Sequence, residues 1–394
     1  MLTIAVVFGT RPDTIKLAPV IKALQGCPKE FRVVSIATAQ HRHMLDQVLN
    51  VFGVEPDFDL DIMLPQQSLE QITARGVERL GEVFGKVKPD AVLVQGDTTT
   101  TFLGSLVAFY HRVPVGHVEA GLRTDDRFNP FPEEINRRLT SVLTDFHFPP
   151  TLTAQHALLR ENIRREHIYI TGNTVIDALR EAVKKDYTFQ TRDLARVAER
   201  VRQDGRKLVL ITSHRRENWG RPMRAACRAI RRLAESPAGR RTDFAFPVHL
   251  NPIVQDVVRG ELSGIENVHL VEPLEYEDFV NLMNLSLFVI TDSGGVQEEA
   301  PSLGKPVLVM RRVTERPEAV RAGTAKLVGL DEAKIFSAAS RLLRGGAEYR
   351  AMASAVNPYG DGRASERIVE ALRYELGLRR RRPSEFHGSD PFAD

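Results

Sequence analysis

Acidic residues that follow short apolar runs are the first candidates for chemistry. Asp97 stands in Gln95-Gly96-Asp97-Thr98-Thr99, Glu119 in His117-Val118-Glu119-Ala120-Gly121-Leu122-Arg123, and Glu133 beside Glu134 after Pro132. Each has an ordinary structural explanation. Asp97 would cap a helix, Glu119 would pair with Arg123, and Glu133 or Glu134 would favour a helix start. Together they carry more. Asp97 and Glu119 end successive strands by pattern, and crowded carboxylates raise one another's pKa values, which suits acid and base work near neutral pH.

A second group could hold an anion. Gly9-Thr10-Arg11-Pro12-Asp13, with Lys16 following, places a tight turn, a helix start and two cations at one strand end. Asp292-Ser293-Gly294-Gly295 repeats the arrangement with no Cβ to block backbone N–H groups from an incoming diphosphate. Glu299 lies one to two turns into that helix, where it could accept ribose hydroxyls, and Arg316 is a second candidate for the pyrophosphate region. Ser213-His214-Arg215-Arg216-Glu217-Asn218 is the counterpart of the Gly9 loop in the second half, and His214 could donate to phosphate or shuttle a proton. His249 is a weaker candidate. No Walker loop and no G-x-G-x-x-G follows a strand, and no His/Cys set has zinc spacing. No cofactor and no metal are expected.

These residues need strands to carry them. Thr3–Phe8, 33–38, Ala91–Gln95 and 114–118 read as central strands, with helical patterns over 15–24, 44–52 and Leu69–Phe84. The rhythm restarts at Lys207–Thr212 and continues at 243–247, Val268–Val271, 287–291 and 306–310. Long helices are expected over 176–202. The reading is α/β: two Rossmann-like halves with parallel sheets, a join near 171–173, and a cleft between them where strand ends place ligands.

The 394 residues suit two domains. A net charge of +3 argues against a broad nucleic-acid face. Cys27 and Cys227 form no framework. No apolar run approaches the roughly 18 residues that span a bilayer, and the first residues read as a buried strand, so a cytoplasmic setting is expected. The Arg-rich segment 379–394 has no periodicity and is expected to be disordered and solvated.

On these motifs the chain resembles the non-hydrolysing bacterial UDP-N-acetylglucosamine 2-epimerases, from Phe8-Gly9-Thr10-Arg11-Pro12 through Asn357-Pro358-Tyr359-Gly360-Asp361-Gly362. The resemblance implies a glycosyltransferase-B type fold, with domains over 1–171 and 172–363 and a helix at 364–378 returning to the first. It implies a homodimer that reversibly converts UDP-GlcNAc to UDP-ManNAc for cell-surface polysaccharide. By motif, Asp97, Glu119 and Glu133 are the catalytic carboxylates and His214 an essential residue on the nucleotide side. Arg11, Ser293, Gly294, Gly295, Glu299 and Arg316 resemble the UDP contacts, Lys16 a further sugar-nucleotide contact, and Phe279 the uracil-side position. Gln40, Glu133, Arg215 and His249 resemble parts of an allosteric second UDP-GlcNAc site. His43 and Gln66 replace a Gln and an Arg there. The lost Arg removes a bidentate phosphate contact, which weighs against activation by a second substrate molecule.

The chemistry expected is elimination. The sugar C2–H is not beside a carbonyl, so removing it alone is very hard. Losing UDP from C1 while a base takes H2 gives a glycal, and re-addition with reprotonation from the opposite face gives the epimer. The rivals are a glycosyltransferase needing an acceptor, a hydrolysing epimerase releasing ManNAc and UDP, and a nucleotide-sugar-binding module without chemistry.

Overall fold

Short β-branched runs become strands where both faces can be buried. The computed structural model describes residues 1–38, 42–63 and 67–388, with residues 42–44 by backbone alone. The chain divides into two units: Met1–Glu181 with Tyr359–Asp394, and Ala182–Pro358.

In the first unit β1 (Leu2–Phe8), β2 (Phe31–Ala37), β3 (Phe58–Asp59), β4 (Ala91–Gln95), β5 (Val115–Val118) and β6 (Phe146–Phe148) form one parallel sheet ordered β3-β2-β1-β4-β5-β6. Ile4 to Phe8 are buried, as an internal strand of a sheet covered on both faces requires. One face packs Val7, Val34 and Val94 against Leu80 and Phe84 of the helix Leu69–Val87 and Leu103 of the helix Thr99–Tyr110. The strand order reverses between β1 and β4, and such a switch point opens a crevice at the strands' carboxyl ends.

In the second unit β7 (Lys207–Thr212), β8 (Thr242–Pro247), β9 (Val268–Val271), β10 (Phe288–Thr291), β11 (Val307–Val309) and β12 (Ala325–Leu327) repeat the plan, ordered β12-β11-β10-β7-β8-β9 and all parallel. Here the switch lies between β7 and β10. Both units are Rossmann-like, as the alternating pattern implies.

The strands expected from the sequence are present within two residues at each end, while β3, β6 and β12 were not anticipated. The segment after 171 also differs. The helix Thr174–Ala182 stays with the first unit, because Asn173 N donates to Tyr359 O at 2.7 Å and the Asp177 carboxylate accepts from Ala364 N at 3.2 Å and Ser365 N at 2.8 Å. The division therefore falls after Glu181, ten residues beyond the expected join. The expected disorder from 379 onward is corrected for residues 379–388. Arg382 donates to the carbonyls of Glu166 (2.6 Å) and Ile168 (2.7 Å) and lies over the Tyr169 ring, while Phe386 is buried and its N–H donates to Ile170 O at 2.7 Å. Among the described residues no helix is long and apolar enough to cross a membrane.

Candidate active site

In the first unit the candidates gather where β1, β4 and β5 end. After β1 the chain must pass close to its neighbours. A Cβ at Gly9 would stand 2.2 Å from Thr38 Oγ1 and 2.4 Å from Thr100 Oγ1, so only glycine fits. The buried Asp13 carboxylate accepts from Gly9 N (3.0 Å) and Thr10 N (2.7 Å), and burial pushes its pKa up to about 6. This fixes the turn that presents Arg11 at the first position of its helix, Arg11–Gln25.

Asp97 is not the cap of the following helix. Thr98 takes that place, accepting from Thr101 N at 3.3 Å. The Asp97 carboxylate instead receives Arg137, through Nε at 2.9 Å and Nη2 at 2.5 Å. Nor does Glu119 pair with Arg123, which turns to Glu161 at 2.7 Å. Glu119 is buried and held by Lys16 Nζ at 2.5 Å, Asn173 Nδ2 at 3.1 Å and Gln95 Nε2. Its backbone is left-handed, φ +62°, a conformation that costs a non-glycine residue of order 1 kcal/mol and recurs at functional sites. A Cβ at Gly96 would stand 3.8 Å from Glu119 Oε2, so the residue before Asp97 lies against the Glu119 carboxylate. Each of these two acids has a cation partner, an arrangement different from the bare crowding expected of them.

The pair Glu133 and Glu134 separates by role. Glu134 is fully buried, yet Thr124 N (3.0 Å), Arg138 Nε (3.2 Å) and Arg137 Nη1 (3.2 Å) outweigh burial and hold it below the usual carboxylate range. It is structural. Glu133, at the start of the helix Glu133–Leu143, has a shielded Oε2 with no hydrogen-bond partner among the described residues.

In the second unit the candidates gather at the ends of β7 and β10. Asp292 is fully buried and accepts from Ser213 Oγ (2.8 Å), His214 N and Arg215 N (both 3.1 Å) and Asn218 Nδ2 (2.8 Å). His214 Nδ1 lies 3.1 Å from its other oxygen. Burial alone would raise this carboxyl, but His214 and the surrounding donors hold it below its ordinary value. Ser293 then precedes the helix Gly294–Ser302, whose N-terminus has no side-chain cap. Its first-turn N–H groups are the kind that bind anions. Around that N-terminus, a Cβ at Gly294 would stand 3.9 Å from Arg215 Nη2, and one at Gly295 4.0 Å from Glu299 Oε2. Glu299 is buried and accepts from Tyr276 Oη at 3.3 Å, which brings the helix Tyr276–Leu285, carrying half-buried Phe279, beside it. Arg316 is ion-paired with Glu298, and Arg215 with Glu315 at 3.1 Å.

Exposed His249 stands apart from this cluster by its bonding, its Nδ1 accepting from Asn251 N at 3.1 Å in a local turn. Gln40 and Gln66 lie outside the described residues, as does the His43 side chain. The sequence reading assigned no role to Asp292, Arg137, Gln95, Asn173 or His117. For Asp292 there was a signal: an acid closing an apolar strand directly before Ser-Gly-Gly.

A family model described as UDP-N-acetylglucosamine 2-epimerase matches residues 22–373. A UDP-N-acetylglucosamine 2-epimerase of Bacillus subtilis is 51% identical over 387 residues, covering 98% of this chain and 99% of that protein. A UDP-GlcNAc 2-epimerase from Neisseria meningitidis, solved bound to UDP-GlcNAc, aligns with TM-score 0.82 at 49% identity, over 94% of this chain and 99% of its own. The MnaA–UDP structure from S. aureus aligns with TM-score 0.86 at 44% identity, over 98% of this chain and 100% of its own.

Proposed function

The chain belongs to the UDP-N-acetylglucosamine 2-epimerase family, and on that premise we propose that it interconverts UDP-GlcNAc and UDP-ManNAc by eliminating and re-adding UDP, without releasing free sugar. The related structures that hold UDP-GlcNAc and UDP support the choice of ligand. In the forward step a carboxylate of the first unit takes H2 while the C1–O bond breaks towards UDP and a C1=C2 double bond forms. UDP then returns to C1 and a carboxyl group delivers a proton to C2 from the opposite face. Asp97, Glu119 and Glu133 supply the acid and base. Lys16 and Asn173 fix Glu119, and Arg137 fixes Asp97.

The second unit holds the leaving group. The N–H groups at Ser293, Gly294 and Gly295, with Arg316 and with Arg11 from the first unit, take the diphosphate. Glu299 takes the ribose hydroxyls and Phe279 lies by the uracil. Asp292 fixes His214 through Nδ1, which leaves Nε2 for a phosphate oxygen. The units must close on the substrate for turnover. The observation that carries this reading is Glu119, a buried acid in a strained backbone held by Lys16, Gln95 and Asn173.

A homodimer and a cytoplasmic supply of UDP-ManNAc for surface polysaccharide belong to the same proposal. Phe109 and Tyr110 on one helix of the first unit, and Leu139 and Val142 on a helix packed against it, are exposed apolar side chains that a second copy could cover. The test is UDP-GlcNAc alone, followed by proton NMR. UDP-ManNAc without free ManNAc is expected. Free ManNAc with UDP, or no reaction until an acceptor is added, would overturn the proposal.

A further inference from the structure

Three successive carbonyls carry the chain from β4 into the Asp97 turn, and each is held by a side chain from a different place. Gln95 O accepts from Thr101 Oγ1 at 2.5 Å, Gly96 O pairs with His117 Nε2 at 2.7 Å, and Asp97 O accepts from Asn136 Nδ2 at 3.0 Å. The middle contact differs from the others because its donor lies on β5, two residues before Glu119. A carbonyl oxygen can only accept, so His117 Nε2 must carry the proton. The ring is fully buried and its Nδ1 has no partner among the described residues, so the imidazole is neutral with a bare Nδ1.

Gly96 is where this bond matters most. It has φ +74° and no side chain that packing could hold, so its polar groups are the only handles on it. Both are tied to β5: its N–H donates to Val118 O at 3.0 Å and its carbonyl accepts from His117. Without the second tie the Gly96 carbonyl loses its hold on β5, and Asp97 is left positioned by Asn136 and Arg137 of the helix Glu133–Leu143, so its place relative to Glu119 is less closely fixed. We propose that His117 is a positioning residue whose Nε2–H, bonded to the Gly96 carbonyl, locks the ends of β4 and β5 into one frame and sets the separation of the Asp97 and Glu119 carboxylates. This rests on the reading of those two acids as catalytic. His117 touches no substrate.

The test compares His117→Phe, which removes the donor at similar volume, with His117→Gln, whose amide nitrogen can reach the place of Nε2. Loss of the bond displaces a reacting group on the ångström scale, so His117→Phe should lower kcat by about 10–100-fold. KM should change little and UDP affinity not at all. His117→Gln should recover most of the lost kcat. Equal losses in the two variants, a fall in UDP affinity, or wild-type kcat in His117→Phe while Asp97→Asn and Glu119→Gln are inactive would overturn the inference. Wild-type kcat in Asp97→Asn and Glu119→Gln would instead overturn the catalytic reading beneath it. If His117→Phe does not fold, long-range proton–nitrogen NMR of the wild-type protein decides. A neutral His117 protonated at Nε2 supports the bond, and the Nδ1–H form or an imidazolium contradicts it.

Discussion

Two buried histidines should make the first unit acid-labile. His117 and His147 lie opposite each other on β5 and β6, and both are buried. Burial depresses the His117 pKa from 6.5 to about 4 and that of His147 to about 3. Folded values below unfolded values mean that this stability is complete above about pH 6.5. It is lost as the pH falls towards the folded values. At pH 5 each ring is still mostly neutral in the fold but mostly charged in the unfolded chain, a cost of about 2 kcal/mol per histidine. Asp13 acts in the other sense. Its folded pKa is raised to about 6, so its contribution is present at low pH and lost as the pH rises through that value, and at pH 5 it offsets about 1 kcal/mol. These three groups together contribute a loss of about 3 kcal/mol between pH 7.5 and 5, a large share of a typical stability of roughly 5–15 kcal/mol. The assay is urea unfolding at both pH values for wild type and His147→Phe, with the first unit's transition assigned by hydrogen exchange of the β5 and β6 peptides. The substitution changes absolute stability through packing, but the pH difference isolates the titration. That difference should shrink by about 2 kcal/mol in the variant. The same pH difference in variant and wild type would refute the reasoning.

Asp292→Asn removes the charge that accepts from Ser213, His214, Arg215 and Asn218, leaving buried donors against an amide. It should destabilise the second unit by about 1–3 kcal/mol and weaken UDP binding at least tenfold by calorimetry, whereas unchanged affinity would contradict Asp292 as the organiser of the His214 loop. Gly121 has φ +85° and an added Cβ would stand 2.3 Å from the Ala154 carbonyl oxygen, so Gly121→Ala should cost about 3 kcal/mol, read as a fall in Tm. Ending the chain after Arg381 removes buried Phe386 and the bonds of Arg382. A loss of about 2–3 kcal/mol is expected, and an unchanged Tm would mean that the docked segment contributes nothing.

What the sequence revealed followed from local physics. Thr3–Phe8 reads as a strand because the apolar run is short, β-branched and closed by a Gly turn, and the observed strand is Leu2–Phe8. The strands that escaped notice lack such a run: β6 is Phe-His-Phe, β12 is Ala-Lys-Leu, and β3 has two residues. Asp97 and Glu119 were legible because acids directly after buried strands fall at the carboxyl edge of the sheet. Their partners were not. Arg137 reaches Asp97 across 40 positions and Asn173 reaches Glu119 across 54, and no local pattern encodes either contact. The Arg-rich end misled for the same reason. A run of arginines reads as a solvated face, but Arg382 finds the Glu166 and Ile168 carbonyls more than 200 positions away.

Turnover of UDP-GlcNAc in heavy water bears most directly on the central claim, that a first-unit carboxylate removes H2 as UDP departs. The UDP-ManNAc formed should carry deuterium from solvent at C2, and incorporation should vanish in Asp97→Asn and Glu119→Gln. Product that keeps its original hydrogen at C2 would contradict proton abstraction and, with it, the elimination route.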